Sequence, residues 1–296
     1  MMMMNFLKER KVNNKRLTVV LGPTAVGKTD YAIDLALKYG CPILSCDSRQ
    51  IFSEMRIGTA PPSPEQLEKV KHYFIFSHSV SDYYSAGQYE LDAMELLSEL
   101  FQTYDDIIMV GGSGLYADAL CYGLDDFPAA DQQLRKTLTE QAFGTEFPAL
   151  QQRLRELDPD SLNFIDISNK QRVIRALEVT LSTGKKYSSF RTAPRKKRFF
   201  EIERFALNMP REILYDRINR RVDMMVEQGL VREVQDLIGY RDMPALRTVG
   251  YKEIFEYLDG DISLERAIDL IKRDTRRYAK RQVTYFAKER QVEVQL

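Results

Sequence analysis

From residue 17 to 21 the chain reads Leu-Thr-Val-Val-Leu, then turns abruptly to glycine and polar residues, the pattern of a short buried strand handing over to a loop. Residues 28–39 follow with helical spacing, and Gly40 supplies a stop. A second apolar run at 42–46 ends in Asp47-Ser48-Arg49-Gln50. Pro61, Pro62 and Pro64 then interrupt the chain before a helix from about Glu65, and residues 73–77 form a third strand candidate. Residues 85–104 place Leu91, Met94, Leu97 and Leu100 at helical intervals, and the buried run at 106–110 delivers Gly111-Gly112-Ser113-Gly114. Strands alternating with helices in this way predict an α/β fold built on a doubly wound parallel sheet. Its ligands would lie past the carboxyl ends of the strands.

The pattern changes near Phe127. Residues 127–193 show helical periodicity and no strand, which predicts a small all-α insertion between two stretches of core, 1–126 and 194–296. Within it a helix is expected over 169–181, with Val173, Ile174, Leu177 and Leu181 inward, Gln171, Arg172, Arg175 and Glu178 on the other side, and Gly184 closing it. Residues 199–208 read as a returning strand. Beyond them the chain is expected to be helical, over 211–229, 230–238, 251–258 and 264–289.

At 296 residues, 44% of them hydrophobic and 29% charged, the chain has the make-up of a soluble globular protein with room for a large core. No apolar run approaches a membrane span. Cys41, Cys46 and Cys121 form neither an even disulfide set nor a metal-like spacing, so a reducing cytoplasmic setting is expected. The first sixteen residues lack the apolar stretch of a signal peptide and read as a basic arm. A net charge of zero conceals segregation. Residues 61–126 carry twelve acids against two bases, whereas 191–198 carry five bases and no acid, and 272–281 six bases against Asp274. Such separation favours a polyanionic partner on one face.

The loop after the first strand is G-x-x-x-x-G-K-T, residues 22–29, in the strand–loop–helix setting that a phosphate-binding Walker A loop requires. Gly22 and Gly27 let the backbone aim its N–H groups inward. The helix dipole and Lys28 add positive charge, and the Thr29 hydroxyl can hold Mg²⁺. Asp47, at a strand end beside this loop, could ligate Mg²⁺ through water, cap a helix or accept a proton. The strand at 106–110 runs into glycines rather than a Walker B aspartate, and N-K-x-D is absent, so motor and switch functions lose ground to transfer chemistry. Ser113 is either the cap of a plain turn or a hydroxyl presented at the same edge. On the last helix Ile268, Ile271, Thr275, Tyr278, Gln282 and Phe286 make a mostly apolar side. Arg273, Arg276, Arg277, Lys280 and Arg281 line an adjacent stripe. Together with Arg172, Arg175 and the 191–198 cluster, this stripe reads as a nucleic-acid groove rather than a merely solvated face.

Taken together these strings resemble the tRNA dimethylallyltransferase (tRNA isopentenyltransferase) family. The matching segments are G-P-T-A-V-G-K-T (22–29), S-C-D-S-R-Q-I-F (45–52), I-G-T-A (57–60), Y-S-A (84–86) and V-G-G-S-G-L-Y (110–116). Q-R-V-I-R-A-L-E-V (171–179), V-G-Y-K-E (249–253) and T-R-R-Y-A-K-R-Q-V-T (275–284) follow in the family's order. The resemblance implies a P-loop kinase-like core with an α-helical insertion that contacts tRNA. It implies transfer of a dimethylallyl group from dimethylallyl diphosphate to N6 of the adenosine 3′-adjacent to the anticodon, releasing diphosphate. Gly22, Pro23, Thr24, Ala25, Val26, Gly27, Lys28 and Thr29 would hold the diphosphate, with Mg²⁺ at Thr29. Asp47 would be the general base, and Ser113 would contact the acceptor nucleotide. The anticodon stem-loop would meet Asp47, Ser48, Arg49 and Gln50; Arg135; Gln171, Arg172, Val173, Ile174 and Arg175; and Arg247, Thr248, Val249, Gly250, Tyr251 and Lys252. It would also meet Lys280, Arg281, Gln282, Val283, Thr284, Tyr285, Phe286 and Ala287. A monomer is expected.

This chain departs from the family pattern in places. Serine stands at 113 where the family has threonine, Pro61 replaces a lysine, and Tyr285 and Ala287 replace tryptophan and arginine. Three other functions share part of the pattern. A small-molecule or nucleoside monophosphate kinase shares the phosphate loop but gives the basic last helix no use. A prenyltransferase acting on free adenine nucleotides would need little RNA surface. A non-catalytic RNA-binding module would not need Asp47 and Ser113 beside a phosphate loop.

Overall fold

The structure, a computed structural model, describes residues 15–128, 131–191 and 195–294. The basic arm falls almost wholly at 1–14, outside the described residues, as do residues 192–194 of the later basic cluster. The chain divides into two compact units, Met1–Tyr122 with Lys197–Leu296, and Gly123–Lys196.

The first unit opens with β1 (Arg16–Leu21), α1 (Lys28–Tyr39), β2 (Ile43–Ser45), α2 (Pro64–Lys69), β3 (His72–Tyr73), α3 (Ala86–Thr103), β4 (Asp106–Val110) and α4 (Gly114–Tyr122). The second unit holds α5 (Gln132–Phe143), α6 (Phe147–Leu157) and α7 (Lys170–Thr183). The chain then re-enters the first unit with β5 (Glu201–Asn208), α8 (Arg211–Glu227), α9 (Leu230–Asp236), α10 (Tyr251–Leu258), α11 (Leu264–Phe286) and β6 (Arg290–Glu293). All pairings in the six-stranded sheet are parallel, in the order β3-β2-β4-β1-β5-β6.

Period-two alternation sorts the sheet's side chains. Leu17, Val19 and Leu21 of β1 pack with Ile107, Met109, Tyr89, Leu97 and Leu120 on the α3–α4 side, whereas Val20 joins Ile108, Phe205, Ile33 and Ile218 on the α1–α8 side. Helices therefore cover both faces, as a parallel sheet requires. A third apolar cluster joins Ile51, Phe52 and Met55 to Val222, Val234, Tyr251, Ile254 and Ile271, so α8 to α11 enclose the loop after β2. The second unit has its own core of Leu138, Leu150, Leu154, Val173, Ile174 and Leu177.

Three local expectations need correcting. The third strand ends at Tyr73, because Phe74 and Phe76 take positive φ (61° and 53°) that no strand accommodates. The last helix stops at Phe286 and gives way to β6, whose four residues are too few for an alternation to show. Glu178 is not on an outer face of α7. It is 1% exposed, with Arg175 at 3.1 Å and Arg135 at 3.7 Å.

Candidate active site

The loops after β1, β2 and β4 converge on one edge of the sheet, where a cavity of about 740 Å³ opens. Thr24, Ala25, Gly27, Lys28 and Thr29 line it, with the Asp47–Gln50 turn, Gly111 and Gly112. Gly22, Pro23 and Val26 are buried behind the loop. Gly22, at φ 144°, leaves no room for a side chain, since a Cβ would lie 2.8 Å from the Leu207 carbonyl. Gly27 sits at the N-terminus of α1 in the left-handed region. The Lys28 ammonium folds back to donate to the Pro23 carbonyl at 2.8 Å.

Positive charge gathers here from a helix that the sequence pattern did not single out. Arg217 and Arg221, one turn apart on α8, also line the cavity, and Arg221 donates to the Thr24 hydroxyl at 3.3 Å. Neither has a carboxylate within ion-pair distance among the described residues. Burial and then Arg221 push Lys28 down to about 8, with Asp47 and Cys46 opposing. Burial, followed by Arg217, lowers Arg221 as well, against Asp30. Desolvated cations crowded together raise one another's cost until an anion arrives, the arrangement of a polyanion cradle. Their i, i+4 spacing in Arg217-Ile218-Asn219-Arg220-Arg221 was visible in the sequence, but only the packing of α8 turns it toward the phosphate loop.

Asp47 closes its own turn. One carboxylate oxygen, Oδ1, accepts the N–H groups of Arg49 at 2.9 Å and Gln50 at 3.3 Å, leaving Oδ2 for a substrate. The capping and chemical roles read from sequence are thus compatible. The Ser113 hydroxyl accepts from the Ser48 N–H at 3.0 Å and bonds the Ser48 hydroxyl at 3.1 Å, so it buttresses the Asp47 turn rather than lining the cavity. Tyr278 of α11 hydrogen-bonds Ser113. Burial and then Asp47 push this phenol up to about 12, with Arg49, Ser113 and Arg281 opposing.

Gln282 acts as a clasp. Its carbonyl accepts the Thr24 N–H and its amide donates to the Gly112 carbonyl, both at 2.9 Å, tying α11 to two of the three loops. A Cβ on Gly112 would collide with that amide.

The remaining candidate RNA contacts separate into two groups. Arg247, Lys252, Lys280, Arg281, Val283, Thr284, Tyr285 and Ala287 are exposed in the first unit, as Gln171 and Arg172 are in the second. Arg135 and Arg175 are partly buried around Glu178. Val173, Ile174 and Tyr251 are fully buried, Phe286 is nearly so, and Gly250 is buried, so in this structure the side chains of those four larger residues pack inside the protein rather than facing solvent. Thr248 and Val249 line the cavity. Tyr285 fills the space beside Gly114 and bonds Asp118, which Arg204 contacts at 2.8 Å.

The fold is that of a P-loop-like core, with a cluster of cations and a carboxylate facing one cavity. A family model described as IPP transferase matches residues 50–289, and the chain belongs to that family. It is 46% identical over 276 residues to tRNA dimethylallyltransferase 1 of Bacteroides thetaiotaomicron, covering 93% of this chain and 90% of the relative. Among solved structures it is similar to the full-length tRNA isopentenylpyrophosphate transferase of Bacillus halodurans, with a TM-score of 0.68, 36% identity and coverage of 94% and 90%. A eukaryotic dimethylallyltransferase acting on tRNA shares the fold, with a TM-score of 0.74 at 24% identity, covering 94% of this chain and 74% of that one. No helix among the described residues is long and apolar enough to cross a membrane.

Proposed function

We propose that the chain is a tRNA dimethylallyltransferase, joining the allyl group of dimethylallyl diphosphate to N6 of the adenosine on the 3′ side of the anticodon. The observation that carries this reading is one cavity lined both by the cation cradle (Lys28, Arg217, Arg221) and by Asp47. The allylic C–O bond breaks, an N–C bond forms at the adenine amine, Asp47 Oδ2 takes the amine proton, and diphosphate leaves. Negative charge grows on the departing diphosphate, where the P-loop N–H groups and the three cations stabilise it. No attacking water is needed, so a glycine turn after β4 can replace a Walker B aspartate. The carboxylate assists an amine whose lone pair is delocalised, a role worth about 10²–10⁴ in rate.

Mg²⁺ fits the donor set. Thr29 and Asp47 line the cavity, and no group of three or more His, Cys, Asp or Glu residues suited to a metal lies among the described residues. The Thr29 hydroxyl, with Asp47 reached only through a water, suits a hard cation that takes its other oxygens from diphosphate and water, which leaves Asp47 Oδ2 for the amine proton. When bound it would neutralise charge on the diphosphate. The exposed bases of α11 and α7 would grip the anticodon stem-loop, and the acceptor base would leave its stack to enter the cavity. We take the protein to act as a cytoplasmic monomer.

The deciding experiment incubates the protein and Mg²⁺ with unmodified tRNA and either dimethylallyl diphosphate or ATP, then digests the RNA for mass spectrometry. Prenylated adenosine is expected with the first donor only. Turnover of ATP on a small acceptor would make the protein a kinase instead.

A further inference from the structure

We infer that Glu233 is a positioning residue, whose carboxylate fills a backbone nest at residues 56–58 and thereby fixes the cavity wall against which the donor is held. This rests on the proposed transferase reading. Three successive N–H groups converge on Glu233: Arg56 at 2.8 Å and Ile57 at 2.7 Å to Oε2, and Gly58 at 3.0 Å to Oε1. The Tyr251 hydroxyl donates to Oε1 at 2.7 Å. Successive amides aimed at one point form an anion-binding concavity, and here a side chain of the protein supplies the anion.

The nest holds a stretch with a direct part in the site. Residues 56–60 all line the cavity. Their far end is fixed by Gln50, whose amide donates to the Thr59 carbonyl at 3.2 Å and the Ala60 carbonyl at 2.9 Å. Gln50 belongs to the turn that Asp47 caps. A continuous path of hydrogen bonds therefore leads from Asp47 through Gln50 and this loop to Glu233 on α9. Tyr251 locks the loop by shape as well, since a Cβ on Gly58 would lie 2.6 Å from its ring. That gives this buried tyrosine a task other than RNA contact. Charge-assisted bonds from backbone to carboxylate are shorter and stronger than neutral ones, so Glu233 outweighs Tyr251 in holding the loop.

Glu233→Gln keeps the shape but sets an amide donor against one of the N–H groups. We expect kcat/KM for dimethylallyl diphosphate to fall roughly 10–100-fold, as misplacement of a site by about an ångström does, with tRNA affinity within about twofold of the parent. Tyr251→Phe, which leaves the nest filled, should lose less. Glu233→Ala leaves a hole of carboxylate size, and added formate should restore at least part of its turnover. Amide hydrogen exchange reads the nest without turnover, and protection at residues 56–58 should drop in Glu233→Gln. Unchanged donor kinetics and unchanged protection in Glu233→Gln would overturn the inference, as would a loss shared equally by tRNA binding. If the parent protein prenylates no tRNA, the functional reading fails, and exchange at residues 56–58 still decides whether Glu233 holds the loop.

Discussion

Two groups of arginines in this protein look alike in sequence and differ in what surrounds them. In the helical unit, Arg135 and Arg175 converge on the buried Glu178, and Arg175 also donates to the Pro128 carbonyl at 3.1 Å. Their charge is answered within the protein, and they tie α5 and the segment at Pro128 to α7. In the core unit, Arg221 lies between Lys28 and Arg217 with no carboxylate at ion-pair distance of either arginine among the described residues, and on the proposed reading their mutual repulsion is what a ligand would relieve. A cluster of cations marks a site when the fold withholds the counter-charge. When the counter-charge is present, the same cluster is structure.

Several experiments would break or sharpen this contrast, and the largest effect is expected at Asp47, the carboxylate proposed as the base. Asp47→Ala should lower single-turnover prenylation by about 10²–10⁴ while tRNA still binds; near-parental turnover would remove Asp47 from the base role. Arg221→Met should raise KM for dimethylallyl diphosphate by roughly 10–100-fold, about what one charge-assisted contact contributes. In the helical unit the corresponding change is one of stability. Glu178→Gln should cost about 2 kcal/mol in urea unfolding of that unit, with the donor KM within twofold. If instead Glu178→Gln changed the donor KM and Arg221→Met only the stability, the two groups would have to exchange roles.

A subtler test uses pH. Lys28 sits at about 8, below its ordinary 10.5, so in the free protein its charge is complete below pH 8 and lost as pH rises through it. The donor's kcat/KM should therefore fall on the alkaline side with a midpoint near 8, and that limb should vanish in Lys28→Met. Between 8 and 10.5 the folded chain binds fewer protons than the unfolded one, so this residue's unfavourable contribution to stability shrinks as pH rises through the window. The smallest effect is expected on the exposed face of α11. Lys280→Ala should reduce the slope of log tRNA affinity against log salt by about 1, and no change would remove it from the phosphate contacts.

Much of the core was legible in the chain itself. The β1 run, the glycines of the phosphate loop and the Gly40 stop are local statements, fixed by side-chain periodicity and backbone freedom within a few residues. For the same reason α3 starts after the Ser85 cap, and α7 after the Asn169 cap, close to where the sequence placed them. Asp47 could be located at a strand end, but sequence left its capping and chemical roles as alternatives, whereas in the fold both capping bonds fall on one oxygen, so the two roles need not compete.

What the sequence could not reveal depends on groups far apart in the chain. Whether an arginine is neutralised is decided by where a distant carboxylate lands, so Glu178 looked like a surface residue and Arg217 and Arg221 like part of an ordinary charged helix. Val173, Ile174, Tyr251 and Phe286 lie in strings that point to RNA, yet packing turned each of them inward. Glu233 reaches its nest across more than 170 residues of sequence, as Gln282 reaches Thr24 across more than 250. Periodicity and turn chemistry act over a few residues and determined which elements form. Hydrogen bonds and charge compensation act over a few ångströms of space, so only the folded chain decided which charges face the cavity and which are already spent.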